Sequence, residues 1–162
     1  MKVVLRKMTL QEYNSFYEYS VNNHANELMR EMNISFEDAL NKTEAELKEM
    51  LPADLDTVDN TLMVIEESTE GRNVGFMWYL YEEIDGIKQV FLSDFVIKKD
   101  ERRKGYATAA LNQMKMNAKE YDCKESVLFV SKDNISAIKL YSSCGYIPFR
   151  EYGDGIYMKM QI

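Results

Sequence analysis

An α/β (α+β) fold, with a mixed but mostly antiparallel sheet of six to seven strands and helices on both faces, is what this sequence predicts. Three observations carry that expectation. Helical patterning fills residues 10–50. From residue 61 the apolar period changes to short β-rich runs, two of them joined by Asp85-Gly86, a strong hairpin signal. Residues 89–131 then read strand, helix, strand, an order that sets a parallel pair beside the antiparallel ones.

The elements follow in order. Residues 2–6, KVVLR, suit a short first strand. Thr9 serves as an N-cap with Glu12 three residues on, a capping box that opens a helix over 10–22. Residues 23–32 read as a separate short helical piece. Ser35, followed by Glu37 and Asp38, opens a helix to about residue 50, since acids at a helix start complement its dipole. LPADLDT, 51–57, is a loop. Strands follow at 61–66 (TLMVIE) and 73–82 (NVGFMWYLYE), joined through TEGRN, and at 89–97 (QVFLSDFVI) after the Asp-Gly turn. A helix over about 104–121, a strand at 126–131 (SVLFVS), a helix over 134–143 and strands at 146–150 and 156–161 complete the chain. No repeat, low-complexity tract or linker interrupts it, so residues 1–162 read as one domain.

Composition narrows the class. A 46% hydrophobic content is enough for a buried core. No apolar run approaches the roughly 18 residues a membrane span needs, and the charged, short apolar start MKVVLRKMTL does not read as a signal peptide. Cys123 and Cys144 have no metal-ligand or redox spacing and read as reduced thiols of a cytoplasmic protein. A net charge of -7 argues against nucleic-acid binding and is compatible with a cationic substrate such as an amine.

Against that acidic balance, RRKGYATAAL (102–111) crowds three cations against Gly105 where a helix begins. A helix N-terminus offers unpaired N–H groups and the positive end of a dipole. A glycine lets a phosphate approach the backbone, and small residues behind it keep the path clear. The stretch therefore reads as a pyrophosphate cradle, although it matches neither the P-loop nor the dinucleotide fingerprint. Downstream, DNISAIKLYSSCGYIPF (133–149) puts Asn134, Ala137, Leu140 and Tyr141 on a short helix stopped by Gly145.

Taken in order and 32 residues apart, Arg102-x-x-Gly105-x-Ala107 and Asn134-x-x-Ala137-x-x-Leu140-Tyr141-x-x-x-Gly145-Tyr146 resemble the GNAT superfamily of N-acetyltransferases. The motif-bearing likeness covers about 89–149. The first half is similar in element order, and the LP of the 51–57 loop with Thr57 looks like one bacterial branch. The resemblance implies an acyl-CoA-binding fold in which acetyl-CoA lies in a V-shaped gap between the strands at 89–97 and 126–131. It implies that the pyrophosphate rests on the backbone amides of Arg103, Lys104, Gly105, Tyr106, Ala107 and Thr108, with Arg102 at the first motif position. It implies that Val96 and Ile97 lend backbone to the pantetheine arm, and that the Asn134 side chain binds the same arm. Ala107 stands where the commonest form has a second glycine, an accepted variant.

Tyr141 matches the family's general acid, a phenol that hydrogen-bonds the departing thiolate. The amine must lose a proton, and Asp94 is the best base candidate, directly or through a water. An aspartate in so apolar a strand needs a partner or a task. Ser93 alternates to the opposite face, and Glu82 and Glu83 are weaker alternatives. His24, the one histidine, reads as structural, and no cluster supports a metal. Met77, Trp78, Tyr79, Tyr81 and Phe129 give aromatic-rich strands that are mostly core, with one face free to line an acceptor pocket. Nine acids at Glu27, Glu31, Glu37, Asp38, Glu44, Glu46, Glu49, Asp54 and Asp56 read as a solvated helix face, with attraction of a cationic amine as the other reading. The leading function is direct transfer from acetyl-CoA to a small-molecule or peptide amine in a ternary complex. A non-catalytic acyl-CoA-binding module, another donor such as succinyl-CoA, and a homodimer stay open.

Overall fold

The computed structural model describes residues 1–162. The chain forms two compact units, one of residues 8–60 and one of residues 1–7 with 61–162.

The smaller unit is a helical hairpin. Helix α1 (Leu10–Met32) starts at Thr9, whose hydroxyl accepts the Glu12 N–H at 3.2 Å, and ends at Asn33 in the left-handed conformation. The expected break at residue 23 is absent: no Gly or Pro interrupts 10–32, and the one stop signal that acts is Asn33. Helix α2 (Phe36–Met50) is capped by Ser35, which accepts the Asp38 N–H at 3.1 Å. The 51–57 loop carries a short 3₁₀ turn at Asp54–Asp56, tied to α1 by the Tyr13 hydroxyl donating to Asp54 Oδ1 at 3.0 Å.

The larger unit is a seven-stranded sheet with two helices. Its strands are β1 (Val3–Lys7), β2 (Asn60–Glu67), β3 (Asn73–Ile84), β4 (Ile87–Ile97), β5 (Glu125–Ser131), β6 (Ile147–Tyr152) and β7 (Gly155–Gln161). Their order is β1-β2-β3-β4-β5-β7-β6. Strands β1/β2, β3/β4, β5/β7 and β6/β7 pair antiparallel, and β4/β5 is parallel. The mostly antiparallel mixed sheet is as expected. Asp85 and Gly86, both at positive φ, make the two-residue turn between β3 and β4. The parallel pair is bridged by helix α3 (Tyr106–Glu120), and helix α4 (Ile135–Ser143) follows β5.

One sheet face carries Ile65, Met77, Tyr79, Val90, Leu92, Leu128, Met158 and Met160, a period-two set packed with Ala110, Leu111, Met114 and Ala118 of α3 and with α4. On the opposite face Leu62, Val64, Trp78 and Val127 are also buried. No helix is long and apolar enough to cross a membrane.

The ladder of β3 and β4 slips once. Leu92 faces Tyr79, but Asp94 faces Trp78, so Ser93 is the extra residue of a β-bulge. Just beyond it, the Val96 carbonyl lies where a Cβ on Gly75 would be. Gly75→Ala is expected to destabilise the chain by about 1–3 kcal/mol, the usual cost of an overpacked site, read as a lower urea midpoint with unchanged slope.

Candidate active site

The bulge has a direct consequence for the neighbouring strand. β4 pairs with β5 only from Gln89 to Leu92, against Glu125 to Leu128. Past that point β4 keeps β3 and β5 keeps β7, but the two inner edges no longer pair, leaving a wedge-shaped gap. Hydrogen bonds in an antiparallel ladder alternate between the two sides of a strand. Lys98 N–H donates to Val74 C=O at 2.9 Å, which turns the backbone groups of Val96 toward β3 and those of Phe95 and Ile97 toward the gap. The pair expected there was Val96 and Ile97. The extra residue Ser93 shifts the alternation by one, so that Phe95 rather than Val96 turns its backbone groups toward the gap. Asp94 Oδ1 accepts the Phe95 N–H at 2.9 Å, and the Ile97 C=O accepts from Arg102 Nε at 3.0 Å. The Phe95 C=O and Ile97 N–H remain for a ligand.

Asp94, opposite Trp78, sits on the sheet face away from α3 and α4. Tyr141 comes from α4 on the other face and is half-buried. Its hydroxyl makes no hydrogen bond within the chain, and its ring packs edge-on against Tyr146 at 5.7 Å. Burial first, then the neighbouring Tyr146, Asp94 and Cys144, raise its phenol well above the ordinary range. Tyr141 therefore keeps its proton throughout the neutral range, and Asp94 is close enough to act on it electrostatically.

At the wide end of the gap, residues 98–105 lead into α3. Arg103 and Gly105 both take positive φ, the latter as the N-cap of α3. None of the backbone N–H groups of residues 103–108 donates to an acceptor within the chain. Two of the three cations are engaged: Lys104 pairs with Glu101 at 2.9 Å, and Arg102 holds the Ile97 carbonyl. Glu101, held below the usual carboxylate range first by its Lys104 hydrogen bond, also pairs with Arg72. Arg103 makes no ion pair. Lys2 stands beside Gly105, its ammonium 5.8 Å from the Tyr106 ring centroid. A groove of about 600 Å³ continues from the loop along α4, lined by Arg103, Ile135, Ser136, Lys139, Leu140 and Ser143. Lys2 and Lys139 were missed from the sequence: one is at the N-terminus, the other is a motif spacer, and only the packing of β1 and α4 brings them here.

Asn134 is the N-cap of α4, with Oδ1 accepting the Ala137 N–H at 3.3 Å, so its amide nitrogen is the part left for a ligand. His24 is exposed on α1, Glu82 accepts from Gln89 at 2.6 Å, and Glu83 is exposed. All nine acids of 27–56 are exposed, as a solvated surface requires. Cys123 and Cys144 are free, and no group of three or more His, Cys, Asp or Glu is arranged to hold a metal.

A splayed parallel pair of strands, an unpaired helix N-terminus behind a glycine and a tyrosine on the following helix lie along one gap, and comparisons with known proteins give the family in which this architecture belongs. The sequence profile of the acetyltransferase (GNAT) family matches residues 21–146, and the chain belongs to that family of N-acetyltransferases. It is 27% identical over 146 residues to the uncharacterized N-acetyltransferase YdgE of Bacillus subtilis, across 90% of this chain and 92% of YdgE. The crystal structure of the acetyltransferase YycN, also of Bacillus subtilis, superposes with a TM-score of 0.80 at 26% identity, covering 93% of this chain and 94% of YycN. A spermidine N-acetyltransferase from Vibrio cholerae, in complex with CoA and spermine, shares the fold at 18% identity with a TM-score of 0.68, covering 99% and 95% of the two chains.

Burial also raises the phenols of Tyr79 and Tyr81, and pushes Tyr146 up to about 12 although its 2.6 Å hydrogen bond with Ser126 works the other way. Such a phenol keeps its proton in the folded chain at a pH where the unfolded chain loses it. The stability it contributes is whole below about pH 10 and falls as pH rises toward the folded value. Urea midpoints are expected to hold steady up to about pH 9 and to drop above about pH 10.

Proposed function

We propose that this protein transfers an acetyl group from acetyl-CoA to a primary amine by direct attack in a ternary complex. The observation that carries the reading is the alignment of three open features along one gap: the amide N–H groups of residues 103–108, which have no acceptor within the chain, the unpaired edge of β4, and the unbonded Tyr141 hydroxyl. The family match runs from 21 to 146 and supports reading residues 1–162 as a single acetyltransferase domain. The two free cysteines fit a reducing, cytoplasmic compartment.

The residues present suit each part of the donor. The amides of Arg103, Lys104, Gly105, Tyr106, Ala107 and Thr108 would receive the pyrophosphate, aided by the helix dipole and by the Arg103 and Lys2 charges. Arg102 and Lys104, through Ile97 and Glu101, hold that loop in shape. The Phe95 C=O and Ile97 N–H would pair with the pantetheine amides, and the Asn134 nitrogen would donate to the same arm. Asp94 would take the proton of the incoming ammonium, directly or through a water. The nitrogen then forms its bond to the acetyl carbon as the carbon–sulfur bond breaks, the electron pair of that bond leaving on sulfur as the thiolate and a second N–H proton passing to solvent as the amide forms. Tyr141 would donate a hydrogen bond to the sulfur as its charge builds. A phenolate is a stronger base than a thiolate, with reference values near 10 and 8.5, and burial widens that difference. Tyr141 is thus a donor and never the base.

Calorimetric titration with acetyl-CoA tests the cradle. Micromolar binding is expected, and Gly105→Asp, which adds a negative charge and a side chain at φ 83°, is expected to weaken it more than tenfold. A wild type that binds no acyl-CoA would remove the central claim. Thiol release tests the chemistry. Tyr141→Phe is expected to lower kcat about a hundredfold with the acetyl-CoA Kd unchanged, and Asp94→Asn to remove the acidic limb of the kcat/KM profile. Unchanged turnover in the first, or an unchanged profile in the second, would strike that residue's role.

A further inference from the structure

On the sheet face that carries Asp94, one row of side chains runs outward from the gap. Phe129 is the first residue of β5 past its pairing with β4. It faces Tyr157 of β7, which in turn faces Arg150 of β6. The Phe129 ring is held in place from two sides. It packs against Tyr157 with centroids 4.7 Å apart, and the tip of its ring reaches over Gly155, where a Cβ would lie only 2.0 Å from Cζ. Yet Phe129 is 44% exposed and Phe149 beside it 45%. Arg150 stands over the Tyr157 ring at 5.9 Å and Lys159 over Phe149 at 4.9 Å. Neither cation has a carboxylate partner, in a chain whose net charge is -7. An immobilised but exposed aromatic strip beginning at the gap and ending in unneutralised positive charge has the features of a built surface rather than of core.

We propose that this row is the acceptor-binding surface and that it selects primary amines with an apolar body and an anionic far end. The inference rests on the acetyltransferase reading above and deepens it. The amine lies at the gap by Asp94, the body lies on Phe129 and Tyr157, and the anion meets Arg150. Adjacent strands are spaced about 4.8 Å apart, so β6 lies about 10 Å from β5, which suits an acceptor whose anion is several carbons from its amine. A polyamine would set a second ammonium against Arg150.

A matched series tests this: 6-aminohexanoate, hexylamine and 1,6-diaminohexane, assayed by thiol release beside calorimetric acetyl-CoA binding. The expected order of kcat/KM is carboxylate, then alkyl, then diamine. Arg150→Glu is expected to reverse the preference between 6-aminohexanoate and 1,6-diaminohexane, shifting their ratio by about fivefold or more, the size of a partly exposed charge pair. Arg150→Lys is expected to keep the wild-type order, and Phe129→Ala to raise KM for all three with the acetyl-CoA Kd held. Acetyl-CoA binding with a diamine preference, with no acetylation of 6-aminohexanoate, or with a ratio that Arg150→Glu leaves alone overturns the assignment while the acetyltransferase reading stands. A change of oligomeric state in Arg150→Glu with the ratio unaltered gives the face to a second copy and also overturns it. Absence of acetyl-CoA binding overturns both.

Discussion

One extra residue in β4 sets the chemistry of this fold. The two-residue turn at Asp85-Gly86 starts the β3/β4 ladder in a single register, and that register would carry Asp94 onto the face of α3 and α4. The bulge at Ser93 cancels it. Asp94 crosses to the opposite face, Phe95 and Ile97 turn their backbone outward, and the bent strand leaves β5 after Leu92. Gly75 is part of the same device, because the shifted strand brings the Val96 carbonyl against its α-carbon. A straight β4 would pair with β5 to its end, and no backbone group would be left for a ligand.

The electrostatics follow a similar economy. An acidic chain holds its one concentrated positive site with few free charges. Lys104 and Arg102 are engaged in holding the loop, Glu101 is shared between Lys104 and Arg72, and the open positive potential comes from backbone N–H groups with Arg103, Lys2 and Lys139 around them. Amides fixed by a helix cost little to reorganise around an anion, since the helix has already oriented them. Tyr141 and Asp94, on different elements and different faces, meet only because the sheet between them is open. In the proposed reaction this separation keeps donor and acceptor on opposite sides of the sheet until the acetyl carbon lies between them.

Much of this was legible before the structure. The capping box at Thr9, the cap at Ser35, the Asp-Gly turn and the strand-helix-strand order each depend on a few neighbouring residues, and each was found where expected. The break placed at residue 23 failed because weak helix formers such as the asparagines near 22–26 do not end a helix without Gly or Pro. The side toward which the Val96 backbone turns was hidden for a different reason. No residue type in VFLSDFVI marks a bulge, and the backbone alternation can be read only against the partner strand.

The sequence by itself therefore determined the order of elements, the glycine at the head of α3 and the place of Tyr141 on a short helix, because periodicity, capping and positive φ are local demands that a residue either meets or does not. Tertiary structure decided which backbone groups face the gap, which face Asp94 occupies, that Lys2 and Lys139 stand by the α3 loop and its groove, and that Phe129 and Arg150 share a row on the face of Asp94. Those facts depend on a one-residue register between strands, and register is chosen by cross-strand packing summed over the whole ladder, a quantity that no single segment carries.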